Sequence, residues 1–220
     1  MPRREYDQSC SLACALDRIG ERWSLLIVRE LSLGPLRFSD LVRNVGGAPT
    51  DVLTKRLRDL EQHGIVRRQE LVPPATGVAY ELTDLGRGLE RPMLELGRWG
   101  LHFEQVAEIE HLAPTSLANA FRVILQPPPG AAPMSVGLRS GGQAYGLRIE
   151  DSWIEASRGE AADADLTLSG EPSDVLAALV AGEPGEQGVE IEGDRDVLEQ
   201  LRSMVVLPDG LRAAALAEIA

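Results

Sequence analysis

The chain of 220 residues has little of what marks the specialised protein classes. Aromatic residues make up 4% and cysteines number two, too few for a disulfide-stapled secreted scaffold. Gly 22 and Pro 14 are close to ordinary usage, which excludes collagen-like and low-complexity chains. No apolar run approaches the ~18 residues of a membrane span; WSLLIV at 23–28 is one of the longer ones. No helix is therefore expected to cross a membrane. The N-terminus MPRREYDQSC puts Glu5 and Asp7 where a signal peptide needs an apolar stretch, so a cytoplasmic location is expected. With 44% hydrophobic and 25% charged residues, the chain can bury one large or two small cores.

An excess of charge of one sign is missing from the first half only. Residues 1–100 hold 15 Lys and Arg against 14 Asp and Glu, a balance of +1, whereas residues 101–220 hold 7 against 20, a balance of −13. Within 37–68 the balance is +3, a local basic stretch suited to phosphate in spite of the net −12 of the chain. The break predicts two domains, 1–113 and 114–220. Cys10 and Cys14 lie one helical turn apart. They read either as small buried packing residues or as thiols near the terminus that pair across a dimer. A bond between the two is disfavoured, because a regular helix does not supply the required Cβ geometry.

From Ser11 to Leu33 apolar residues recur at three- and four-residue steps, with a break near Gly20 and a stop at Gly34 and Pro35. Phe38, Leu41 and Val42 predict a short second helix capped by Ser39, and GGAP at 46–49 a tight connection. A third helix starts near Thr50. In TDVLTKRLRDLEQHG, about 100° per residue puts Leu53, Leu57 and Leu60 on one stripe. Asp51, Lys55, Arg58 and Gln62 fall on the opposite face with Thr54 at its edge, while Arg56 lies near the core side. IVRRQEL and VAYELT, joined by VPPATG, predict a hairpin. That order of elements is a winged helix-turn-helix. A long helix is predicted from Thr83 to Leu112, and its length after so small a domain implies packing on a second protomer.

In the second half FRVILQ, MSVGLR, AYGLRI, SWIEAS and ADLTLS predict strands, with SGG at 140–142 as a hairpin turn. Helices follow in PSDVLAALVAGE, with Pro172 and Ser173 in cap positions, and in DRDVLEQLRSM, separated by a strand-like GVEIEG; LRAAALAEIA is a last short segment. Alternation sets Phe121, Val123 and Leu125 on one face and Tyr145, Leu147 and Ile149 on another. The expected class is α+β: a winged helix-turn-helix domain followed by a curved antiparallel sheet covered by helices.

The stretch CSLACALDRIGERWSLLIVRELSLGPLRFSDLVRNVGG, followed by DVLTKRLRDLEQHGIVRRQ and YELTDLGRGL, resembles the HxlR family of winged-helix transcriptional regulators over about residues 10–100. The resemblance implies a dimer that binds double-stranded DNA at an inverted-repeat operator. It also implies an alternative, redox sensing through a cysteine at the position of Cys10. Asp51 stands where members commonly carry lysine, Cys14 where the residue is often basic, and the wing tip PPATG lacks the usual basic side chain. DADLTLSGEPSDVLAALVAGE and VEIEGDRDVLEQL, within residues 115–220, resemble the sterol carrier protein 2 family. That resemblance implies a cavity for a hydrophobic small molecule and no catalytic residues.

The DNA-binding candidates are Arg37, Ser39, Thr50, Thr54, Lys55, Arg58, Arg67 and Arg68, because recognition needs side chains that reach a groove and others that neutralise phosphate. The candidate ligand-lining residues are Val136, Leu138, Tyr145, Leu147, Trp153, Leu176, Leu179 and Val180, whose alternative reading is ordinary packed core. The N-terminal helices and the 84–112 helix are the expected homodimer surfaces. There is no GxSxG, GxxxxGK[ST] or HExxH, and His63, His102 and His111 lack ligand spacing, so neither an enzyme nor a cofactor or metal is expected. A lipid carrier is the alternative from another class.

Overall fold

The computed structural model describes residues 6–71, 76–103, 114–182 and 186–211. The wing tip at 73–75, the 104–112 part of the long helix, and the final segment beyond Leu211 lie outside the described residues. Two compact units divide after Met93.

In the N-terminal unit α1 (Ser11–Ile19) and α2 (Ser24–Leu31) replace the first periodic stretch, with the break at the expected place. There Trp23 takes a left-handed conformation at φ 81 and the Arg22 guanidinium lies 4.9 Å from its ring centroid. A short strand β1 (Leu36–Arg37) leads into α3 (Phe38–Val45), then α4 (Thr50–Gln62). Arg37, not Ser39, holds the N-cap position of α3, and Ser39 is exposed in the first turn. Strands β2 (Val66–Glu70) and β3 (Val78–Leu82) pair antiparallel, and β1 adds to β3, giving the order β1-β3-β2. Ile27, Val28 and Leu31 from α2 pack with Leu41, Leu53, Leu57 and Leu60. Each such leucine, removed from water, contributes about 1.5–3 kcal/mol.

The long helix predicted from Thr83 is interrupted. The first turn, α5 (Asp84–Arg87), ends at Gly88, and α6 (Glu90–Gly100) follows, with a 3-10 turn at Leu101–Phe103. Thr83 caps α5: its Oγ1 accepts from the Gly86 amide at 3.1 Å and donates to the Gly64 carbonyl. Gly86 is required there, since a Cβ would stand 2.2 Å from the Ile65 carbonyl oxygen.

The C-terminal unit opens with a correction. FRVILQ is not a strand: Leu117–Ile124 form a helix, α7, with Phe121 and Leu125 buried and Val123 half-buried beside Gly97. The residues before Phe121 supply the helical period through Leu117 and Ala118, and a short apolar run alone does not separate the two periods. Strands β4 (Met134–Ser140), β5 (Gln143–Glu150), β6 (Trp153–Arg158), β7 (Leu166–Ser169) and β8 (Glu190–Gly193) form one sheet in the order β6-β5-β4-β7-β8. The Gly141–Gly142 turn between β4 and β5 has φ of 56 and 73, which glycine adopts without strain. The sheet is mixed and not purely antiparallel, because β4 and β7 run parallel. A parallel pair needs a crossover, and here the crossover contains β5 and β6. Helix α8 (Pro172–Ala181) has Glu171 at its N-cap and Pro172 in its first turn, and α9 (Arg195–Ser203) is capped by the Asp194 carboxylate. α7 packs on β6, and α9 on β7 and α8.

A candidate nucleic-acid interface and a buried apolar face

Helix α4 presents its cations outward because its leucines point inward. Leu53, Leu57 and Leu60 are buried, which leaves Lys55 and Arg58 fully on the solvent side with no ion-pair partner among the described residues. Thr50 is exposed at the first position of α4, and Thr54 is half-buried, its hydroxyl donating to the Thr50 carbonyl at 2.8 Å. Asp51 is exposed in the first turn, where an acid suits the positive end of the helix. Arg56 is 12% exposed and bridges Glu21 at 3.1 Å and Asp59 at 2.8 Å. It clamps α4 to the α1–α2 connection, as its position near the core side implies.

The wing-base arginines are differently placed. Arg67 donates to Glu81 at 2.7 Å across the hairpin, and Arg68 pairs with Glu61 at 3.2 Å while lying 5.7 Å from the Tyr80 ring centroid. Both remain exposed, so exchanging these pairs for phosphate costs little. Arg37 and Ser39 are exposed at the entry to α3. The exposed cations of α4 and the wing therefore differ: Lys55 and Arg58 have no ion-pair partner among the described residues, whereas Arg67 and Arg68 are paired.

Both cysteines are exposed and reduced, which overturns their reading as buried packing residues. Cys10 stands at the N-cap of α1, and the Ala13 and Leu12 amides favour its thiolate and lower its pKa below the ordinary thiol value. Cys14 lies one turn on, its Sγ accepting from the Arg18 guanidinium at 3.0 Å, beside a cleft of about 360 Å³ that also holds His63. Sequence reasoning had no sign of the Arg18 contact, which depends on side-chain rotamers.

The sheet residues among the ligand-lining candidates share one face. Val136 lies opposite Leu147 and Leu166, and Leu138 opposite Tyr145 and Leu168, so one face of the sheet carries them all, buried. Leu176 and Leu179 are buried on α8, while Val180 and Trp153 are half-buried. The Tyr145 hydroxyl donates to Gln143. Sequence reasoning missed the helix α7, on which Asn119 and Arg122 are buried polar side chains, and the 3-10 turn Pro114–Ser116 before it, which holds the buried Thr115.

Apolar residues also remain outside. Leu12 and Leu16 are exposed on α1, and Leu96, Trp99 and Phe103 are exposed at three- and four-residue steps along α6 and the turn after it, with Trp99 and Phe103 in edge-to-face contact at 4.8 Å. No helix among the described residues is long and apolar enough to cross a membrane.

Residues 18–108 match the HxlR-like helix-turn-helix family. The HTH-type transcriptional regulator YodB of Bacillus subtilis is 35% identical over 89 residues, 40% of this chain and 80% of that protein. The HTH-type transcriptional regulator Rv3095 of Mycobacterium tuberculosis is 40% identical over 90 residues, and the match spans 56% of its length and 41% of this chain. The crystal structure of quinone-bound YodB from B. subtilis superposes with a TM-score of 0.36 at 31% identity, covering 41% of this chain and 94% of that one.

Proposed function

The chain belongs to the HxlR-like helix-turn-helix family through its N-terminal part, and from that premise we propose that it is a homodimeric, DNA-binding transcriptional regulator whose C-terminal domain senses a hydrophobic small molecule. The observation that carries the DNA reading is the pair Lys55 and Arg58, exposed and without ion-pair partners among the described residues, on the face of α4 opposite its buried leucines. In a dimer, two such helices enter successive major grooves about 34 Å apart, so the operator is an inverted repeat. Thr50, in the first turn of α4, and Thr54, at the edge of its polar face, serve base edges, and Arg37, Ser39, Arg67 and Arg68 serve the phosphates. A second copy covers the exposed Leu12 and Leu16 of α1 and the Trp99 and Phe103 pair, since apolar faces of this kind are uncommon on monomers.

The sensing role rests on the resemblance of DADLTLSGEPSDVLAALVAGE and VEIEGDRDVLEQL to the sterol carrier protein 2 family and on the apolar face that β4, β5 and β7 bury. Val136, Leu138, Tyr145, Leu147, Trp153, Leu176, Leu179 and Val180 form the ligand's apolar surroundings. Coupling requires the ligand to bind two protein states with different affinity. The test is gel retardation on a duplex from the protein's own promoter region at low salt. Retardation that falls on adding the ligand found by mass spectrometry of the purified protein supports the reading. Val136→Phe and Leu179→Phe should keep retardation and lose the ligand response. Absence of retardation of any promoter duplex at low salt would leave the carrier reading in its place.

A second reading has its own observation: Cys10 is exposed, and its thiolate is favoured by the α1 amides. Oxidation would then join two protomers. Non-reducing electrophoresis after diamide tests this, and a monomeric band with unchanged DNA affinity rejects it.

A further inference from the structure

We propose that Arg22 binds a phosphate of the DNA backbone beside the groove that α4 enters, and that the ring of Trp23 holds it in place to do so. The inference rests on the DNA-binding reading given above and adds a contact from the α1–α2 connection, outside α3, α4 and the wing. That connection is tied to α4 at two points. Glu21 bridges Arg56, in the second turn of α4, at 3.1 Å. A Cβ at Gly47, in the turn that leads into α4, would stand 3.7 Å from the Trp23 ring. The segment that carries Arg22 therefore runs beside the N-terminal half of α4, and backbone phosphates flank the groove that such a helix enters.

Trp23 at φ 81 lies in the left-handed region, which so large a side chain adopts only where its neighbours hold it there. Its carbonyl accepts from the Ile27 amide at 3.0 Å as α2 begins, and its side chain packs against the N-terminal core. The ring is thereby fixed. The Arg22 guanidinium lies over it, 4.9 Å from the centroid, and Arg22 is exposed with no ion-pair partner among the described residues. A cation over a ring is attracted through its face, whereas the N–H donors of a guanidinium lie along its edge. The indole thus uses the face and leaves the edge to an acceptor. Two oxygens of one phosphate match that fork. An arginine already steadied by a ring also loses less side-chain freedom on binding than one that moves freely. Asp51, exposed in the first turn of α4, repels phosphate at that end of the helix, and the charge of Arg22 offsets it.

The test is binding of the full-length protein to two fluorescent duplexes, one from its own promoter region and one of random sequence, followed by anisotropy over a range of salt concentrations. Arg22→Ala should weaken both duplexes by the same factor, about fivefold at low salt, and lower the salt slope by about 1, because one phosphate contact is lost from each. It should melt at the parent's temperature, since the side chain is exposed. Arg22→Lys should keep the slope but not the full affinity, since an ammonium presents no fork. Equal affinity of Arg22→Lys and the parent would remove the indole-held fork from the proposal. If Arg22→Ala leaves affinity and slope unchanged while Lys55→Ala and Arg58→Ala weaken binding, the contact is wrong and the DNA reading stands. A loss confined to the promoter duplex would make Arg22 a reader of bases, and a loss that comes with a lowered melting temperature would make it a structural residue; either overturns the phosphate contact. If the parent protein binds neither duplex, the DNA reading and this contact fall together.

Discussion

Glu30 and Arg56 in the N-terminal unit, and Thr115 and Asn119 in the C-terminal unit, are all polar side chains drawn out of water, yet the first two have partners within reach. Glu30 is fully buried and accepts from Arg29 at 3.0 and 3.1 Å, and Arg56 has two carboxylates. Asn119 has none among the described residues. The N-terminal unit carries exposed cations without ion-pair partners among the described residues, Lys55 and Arg58, where a large polyanion can reach them. The C-terminal unit has unpartnered polar side chains inside, on Thr115 and Asn119, among the described residues.

The largest expected effect separates the two units by stability. Leu57→Ala opens a cavity in the N-terminal core and should cost that unit about 2–5 kcal/mol. Calorimetry should show one transition moved down and a second in place; a single transition that shifts as a whole breaks the comparison, because the units would then unfold as one. Lys55→Ala and Arg58→Ala come next. Each should weaken operator binding by about 1–3 kcal/mol if it reaches base edges, measured by retardation at fixed salt. Unchanged affinity in both would move the outward-facing surface off α4.

Smaller effects sharpen the contrast between paired and unpaired cations. Arg67→Ala should weaken all duplexes alike, reduce the salt slope by about 1, and change stability by less than ~1 kcal/mol, since its Glu81 pair is exposed. The smallest effect is one of pH. The lowered pKa of Cys10 leaves more thiolate at a given pH below the ordinary thiol range, so iodoacetamide should alkylate Cys10 ahead of Cys14 near neutrality. The advantage of Cys10 should shrink as pH rises into the ordinary thiol range. Equal rates at neutral pH would show that the α1 amides do not act on Cys10.

Much of the N-terminal unit was legible because its periods are long and its breakers strong. Leu53, Leu57 and Leu60 announced both the buried face of α4 and, by subtraction, Lys55 and Arg58. The wing hairpin and the break near Gly20 were equally open to reading. Gly86 and Gly88 were visible in the sequence, but the interruption after Thr83 was not anticipated, since it depends on how closely α5 passes the Ile65 carbonyl. In the second half the strands β4 to β7 were read correctly from alternation and turns, while α7 was misread from a six-residue window that cut off its first turn.

The sequence by itself determined the local periods: which residues of α4 are apolar, where glycines end the elements, and that acidity belongs to the second half. Those are properties of neighbours within about two helical turns, and the chain carries them wherever it goes. Tertiary structure decided which polar groups find each other. That Arg56 reaches Glu21, that Arg67 reaches Glu81, that β4 lies parallel to β7, and that Asn119 is enclosed without a partner among the described residues all depend on segments brought together from far along the chain. Hydrogen bonds act over about 3 Å, and no pattern in a linear sequence measures a distance that short between residues so far apart.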